Sequence, residues 1–290
     1  MKDFIDKAVP ESEEERDYVS KVQNMCLIDD LLFRNVMDEP KLISKLISAV
    51  LGRYVEITEV TVEKTITNGA GRETRCDAEA KDTERNGYVA EVQNDPHGMK
   101  PKRMRFNVGL IDHHAMLRGE TNWENMTDST VIMFCAADCF GDGKVIYELP
   151  RCLNGGRRIE DGTRMIFVNC TYEGDDELGR IIHDLMCRNA DDIYDDEIRE
   201  KVKRIKEDRV EAEKMCETLQ REYEEGFRNG EARSQASIRK MQAELDEKDR
   251  NIAEMKKQMQ VVKDKLFRFL SDMPASEETD DMMAMIASIQ

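Results

Sequence analysis

Apolar residues fall at helical spacing near the start of the chain, alternate through its middle, and return to helical spacing in its last third. Leu27, Ile28, Leu31, Leu32 and Val36 predict a first helix. Leu42, Ile43, Leu46, Ile47 and Val50 predict a second, from Pro40 to Leu51, with proline in its first turn and Gly52 at its exit. Residues 55–67 are rich in β-branched side chains and alternate, as a half-buried strand does. Asn68–Gly71 reads as a turn and residues 72–82 as a second strand. Asn86-Gly87 is a hairpin signal that would return residues 88–93 antiparallel. A helix from Lys102 to Arg118 carries Met104, Val108, Ile111 and Ala115 on one side and stops at Gly119. The continuous apolar run at 130–137 suits a buried central strand, and short strands near 144–149 and 164–170 bracket a glycine-rich loop. Helix, three strands, helix and strand in that order imply an α/β or α+β sandwich.

From Asp195 the chain has no proline until Pro274. Ile238, Met241, Leu245, Lys248, Ile252, Met255, Met259, Val262, Leu266 and Phe269 keep strict three–four spacing over more than four heptads. Only Lys248 in that seam is polar, so the segment predicts a coiled coil whose register or strand number Lys248 helps to set. The chain then divides into a disordered acidic leader (1–19), a folded domain (20–194), a helical coiled-coil region (195–273) and an acidic, Met-rich tail (274–290).

Charge sharpens this division. The 290 residues carry a net charge of −17, with 36% of them charged, more than a purely globular chain needs. Within 20–190 there are 22 Lys and Arg against 28 Asp and Glu, so most of the excess lies outside the predicted domain. The whole molecule is not built as a strong non-specific phosphate binder, yet a local basic patch in the domain is compatible with that balance. The eight cysteines show no CxxC pair, and no signal peptide or long apolar run accompanies them. They predict reduced thiols in a cytoplasmic protein without membrane segments.

The candidate chemistry lies in the predicted hairpin. Alternation puts Asp77, Glu79 and Lys81 on one face of one strand, and Val89, Glu91 and Gln93 on one face of the next. Antiparallel pairing can bring Asp77 and Glu91 together, since neighbouring strands lie about 4.8 Å apart. Two carboxylates that meet repel unless a cation sits between them, and Mg²⁺ favours such oxygen ligands. A water on that ion could attack a phosphodiester. Carboxylates on strands also commonly just face solvent. Other motifs carry less: Asp112-His113-His114 is like a phosphoesterase triplet, but adjacent helical residues point in different directions. His97 and His183 are isolated, and Trp123 is expected to pack rather than stack on a base.

The D-x13-E-x-Q arrangement of Asp77, Glu91 and Gln93 resembles the PD-(D/E)XK nuclease signature, and the wider chain resembles the PD-(D/E)XK nuclease family transposases, also called recombination-promoting nucleases. IDDLLFRNVM (28–37), RCDAEAKD (75–82), AEVQ (90–93), PKRMRF (101–106), GLIDHHAMLRGE (109–120) and DGTRMIFVN (161–169) each resemble a family segment, in the family's order. EEGFRNGEA (224–232) is similar to the Glu/Gly-rich helix that closes these proteins, so the likeness spans about Asn24 to Ala232.

The resemblance implies a restriction-endonuclease-like α/β core, a mixed sheet flanked by helices, with a long C-terminal coiled coil. It implies a Mg²⁺-dependent (or Mn²⁺-dependent) DNA endonuclease linked to recombination or mobile elements, acting on double-stranded DNA as a homodimer or higher homo-oligomer. Asp77 and Glu91 would bind the metal, and Gln93 would stand where a lysine positions water or stabilises charge. Asp30 matches the acidic residue of the first helix, either as an outer metal ligand or as an exposed helix opener. Lys100, Lys102, Arg103 and Arg105 would contact phosphates at a helix start, or simply be solvated. Glutamine carries no charge, and Lys81 is one candidate to replace it. Phe106, Asn107 and Val108 stand where the family usually has Tyr-Tyr-Gln. A degenerate nuclease fold, kept as a DNA-binding or protein-interaction module, is the alternative, and a coiled-coil scaffold with a recognition head is a third reading.

Overall fold

The structure is a computed structural model that describes residues 13–67, 73–115, 121–274 and 276–288. The expected turn at 68–71 and the end of the helix expected to reach Arg118 lie outside the described residues, as does the leader before residue 13. The chain divides into two compact units, residues 1–221 and 222–290.

The first unit opens with three helices: α1 (Glu13–Asn24), α2 (Asp30–Val36) and α3 (Pro40–Leu51). Helix α1 takes up part of the stretch expected to be a disordered leader. Val22 anchors it in the core. Helix α3 has the predicted bounds, with Gly52 left-handed at its C-cap. Strands β1 (Ile57–Thr67), β2 (Glu73–Asp82) and β3 (Gly87–Gln93) follow, then α4 (Pro101–Ala115), β4 (Ser129–Cys135), β5 (Ile146–Glu148) and β6 (Thr163–Asn169). The sheet order is β1-β2-β3-β4-β6-β5. The three-strand meander is antiparallel, β3-β4-β6 is parallel, and β5 returns antiparallel at the far edge.

Each face of this mixed sheet has its own core. Ala78, Ala80, Ala90, Ile132, Phe134 and Val168 pack toward the N-terminal helices and those after β6. The small alanines suit close helix approach on that face. On the opposite face Val89, Val131, Met133 and Phe167 meet Met104, Val108 and Ile111 of α4. The continuous apolar run of β4 is thereby explained: every residue from Ser129 to Cys135 is buried.

The β2–β3 connection does not turn on Asn86-Gly87 as the dipeptide suggested. Arg85 takes the left-handed conformation, and Gly87 begins β3. Glycine is needed there for another reason, because a Cβ would lie 2.5 Å from Ile111 Cγ2 of α4. Asp82 organises the turn, its carboxylate accepting from Glu84 N, Asn86 N and Tyr88 Oη, each at 2.9 Å.

The domain runs past the expected boundary at 194. Helix α5 (Glu177–Met186) is followed by α6 (Asp196–Glu207), capped by Asp195 and burying Ile198, Val202 and Ile205. Lys206 of α6 donates to the carbonyls of Met25 and Arg188 at 2.5 and 2.6 Å, tying the helix into the domain. After a one-residue break at Asp208, α7 (Arg209–Ser271) begins, and Met215 is still part of the core. The second unit holds the rest of α7 and α8 (Glu277–Ser288). In it the apolar seam of α7 is exposed, from Ile238 to Phe269. Among the described residues no helix is long and apolar enough to cross a membrane.

Candidate active site

Strand register builds the site. The β2–β3 ladder runs from Lys81 and Gly87 to Ala78 and Ala90, and ends one residue short of Asp77 on β2 and of Glu91 on β3. There the Asp77 side chain enters the strand pairing itself, with Oδ2 accepting from Val92 N at 2.9 Å. Both carboxylates are buried, Asp77 5% and Glu91 0% exposed. The two carboxylates lie close enough for the charge of Glu91 to raise the proton affinity of Asp77.

A cation faces them, though from an unexpected source. Arg103, in the first turn of α4, sets Nη2 2.5 Å from Glu91 Oε2 and donates from Nη1 to Gln93 Oε1 at 2.6 Å. Arg103 therefore points into the site rather than standing with its neighbours in a surface patch. Lys100, Lys102 and Arg105 are exposed, and their side chains form no ion pair among the described residues. Lys81 lies 3.9 Å from Glu59 on the neighbouring strand.

Gln93 is held from below. Its side chain lies over Gly98, where a Cβ would come within 2.3 Å of Gln93 Cδ. Gly98 belongs to the short turn Pro96–Gly98, fixed by His97 N donating to Asp95 Oδ1.

Asp30 opens α2, and its carboxyl lies within hydrogen-bonding reach of Asp77. It also pairs with Arg34 one turn on, Nε to Oδ1 at 2.7 Å. Arg34 is fully buried. Asp29 joins this helix start to the end of β3, accepting from Cys26 N at 2.7 Å and from Asn94 Nδ2 at 2.5 Å. Asp30 opens the helix, as one of the two expectations had it, and is half-exposed yet joined to the carboxylate pair.

The electrostatics follow from crowding. Burial, reinforced by the charges of Glu91 and Asp30, pushes the Asp77 carboxyl up to about 8. Burial also raises Glu91, while the Arg103 guanidinium opposes the rise. Glu91 Oε1 is buried and accepts no hydrogen bond among the described residues. Near neutral pH the cluster therefore holds a proton on Asp77 and an arginine on Glu91.

Whether a divalent ion fits can be judged from these oxygens. Among the described residues no set of three or more His, Cys, Asp or Glu forms a ready metal cage. The residues fit a more open arrangement, because Mg²⁺ is commonly held by one or two carboxylates with water completing its shell. Glu91 Oε1 and the Asp77 carboxyl are the groups that would hold such an ion, Asp77 releasing its proton as the ion binds.

Arg34, Asp29 and the inward turn of Arg103 escaped the sequence reading. The Asp30-x3-Arg34 spacing is a helical i,i+4 pair and offered a signal for Arg34. Val108 lies in the α4 core, and Asn107 beside it is 2% exposed. Trp123, expected to pack, is 76% exposed in a short surface turn. The side chains of His113 and His114 lie outside the described residues. His183 stacks on Tyr194 with ring centroids 4.1 Å apart, and all eight cysteines are free. Comparison with protein-family models, with curated proteins and with solved structures finds no match.

Proposed function

We propose that the protein is a Mg²⁺-dependent DNA endonuclease of the PD-(D/E)XK type, associated with recombination or mobile elements and dimerised through a coiled coil of α7. The observation that carries this reading is the meeting of Asp77, Glu91, Gln93 and Arg103 at one point of a mixed sheet flanked by helices. The resemblance of those residues and their flanking segments to recombination-promoting nucleases supports a restriction-endonuclease-like core.

Asp77 and Glu91 would hold the ion, with Asp30 as an outer ligand. When bound, the ion supplies a Lewis acid for the phosphodiester and an acidified water. Gln93 can orient that water through its amide but cannot neutralise charge. Arg103 carries the charge that the glutamine lacks, and its bond to Gln93 Oε1 fixes which way the amide faces. Exposed Lys100, Lys102 and Arg105 at the start of α4 would meet the DNA backbone.

A second reading is a degenerate nuclease fold that binds DNA or protein without cutting. The ion pair between Arg103 and Glu91 favours it, since that pair already neutralises one carboxylate without a metal.

Cleavage of supercoiled plasmid with Mg²⁺, Mn²⁺ or EDTA separates the two, run beside Asp77→Ala and Glu91→Ala. Metal-dependent nicking that both substitutions abolish is the expected result. A folded protein that cuts nothing with either metal would leave the binding module as the function.

A further inference from the structure

We infer that α7 pairs with a second copy of itself in antiparallel orientation, a conclusion that rests on the coiled-coil reading and adds its direction. The seam from Ile238 to Phe269 is an exposed apolar stripe on a solvated helix, and such stripes are normally covered. A second copy of the same stripe is the occupant that its charges fit.

With Ile238 at heptad position a and Met241 at d, Glu244 and Lys265 occupy g, and Asp249 and Lys256 occupy e. None of these four side chains makes a hydrogen bond or ion pair among the described residues of its own chain.

In a parallel pair, g of one helix faces e of the other in the following heptad. Glu244 would then face Asp249 of the second copy, twice by symmetry. Residues at d would also face themselves, which puts two Lys248 ammonium groups in one apolar layer. Both consequences oppose pairing, because unscreened like charges cost free energy and a buried cation needs a partner.

In an antiparallel pair a faces d, g faces g, and e faces e. Setting Ile252 against Met255 of the second copy gives every seam residue a partner. The same register places Glu244 opposite Lys265 and Asp249 opposite Lys256, each twice. It sets Lys248 against Met259 and away from its own equivalent, so its alkyl stem can lie on the seam while the ammonium reaches water. The alignment creates no like-charge pair among these four positions. It also sends the two chains into the paired segment from opposite ends, about 47 Å apart at a rise of 1.5 Å per residue.

Glu244→Lys gives opposite outcomes for the two directions, and its position on an exposed helix spares the fold. The full chain is followed by sedimentation equilibrium at low salt as wild type, Glu244→Lys, Lys265→Glu and the double variant. The antiparallel pair requires a wild-type dimer that each single substitution weakens about tenfold and that the double variant restores, since two exposed ion pairs turn repulsive each time. A dimer tightened or unchanged by Glu244→Lys overturns the antiparallel direction and leaves the coiled coil standing. A wild-type chain that stays monomeric at every concentration overturns the coiled coil itself.

Discussion

Arg103 places its guanidinium 2.5 Å from Glu91, joining the first turn of α4 to the middle of a buried strand. Glu91 is fully enclosed, whereas the Arg103 side chain keeps 39% of its surface. The pair thus has one partner that needs the other and one that could leave. Removing the guanidinium strands a buried carboxylate; under the proposed function, a divalent ion arriving from solvent would take its place.

Arg103→Ala is therefore expected to destabilise the metal-free protein by about 1–3 kcal/mol, the usual cost of an unpaired buried polar group. Added Mg²⁺ should recover part of that loss in the variant and change wild type less. Thermal unfolding of both proteins with Mg²⁺ and with EDTA measures this. Equal Mg²⁺ effects in the two proteins would refute the exchange.

Asp77 makes stability depend on pH. Its carboxyl ionises near 3.8 as an ordinary aspartate and at about 8 in the fold. The folded chain thus holds a proton that the unfolded chain has already lost between those values. Stability from this group is complete below pH 4 and fades as pH rises through 8. Asp77→Asn removes the titration. In EDTA, the variant's melting temperature should gain on wild type by several degrees between pH 5 and 8. Parallel pH profiles would show that Asp77 does not carry the proton.

Gly98 tests Gln93 without touching it. Gly98→Ala puts a methyl where the Gln93 amide lies, and a flexible amide can move aside at little cost to the fold. Nuclease activity should fall about tenfold or more while stability changes by less than about 1 kcal/mol. Plasmid nicking and urea unfolding of the same preparation provide both readouts.

Gly87 tests the packing of the opposite end of β3. Gly87→Ala drives a methyl into Ile111, and overpacking of a buried contact costs about 1–3 kcal/mol. Pairing it with Ile111→Leu, which removes the Cγ2 branch that the methyl meets, should recover part of the loss, which equilibrium unfolding in urea can follow.

Much of this architecture was legible as pattern. Helix α3 followed from Leu42, Ile43, Leu46, Ile47 and Val50, and β4 from its unbroken apolar run. The hairpin reading brought Asp77 and Glu91 together, but not the break in alternation at Asp77, where Cys76 and Ala78 join opposite cores and the aspartate side chain takes the bond from Val92 N. What pattern could not supply was direction in three dimensions. Lys100, Lys102, Arg103 and Arg105 look alike in sequence, and only helix phase turns Arg103 inward. The limit of the domain was hidden for a related reason. Ile198, Val202 and Ile205 are helical whether they face a partner helix or a core, and burial alone separates the cases.

The turn closed by Asp82 also bears on how the chain reaches this state. Contacts near in sequence close early, and the β2–β3 hairpin is among the most local in the sheet. Arg103 is 12 residues from Glu91, no farther along the chain than Asp77, so its guanidinium can reach the acids while the hairpin closes. Proton and arginine then ease the same step. Refolding should accordingly slow as the solution becomes alkaline, and slow again when Arg103 is replaced by alanine.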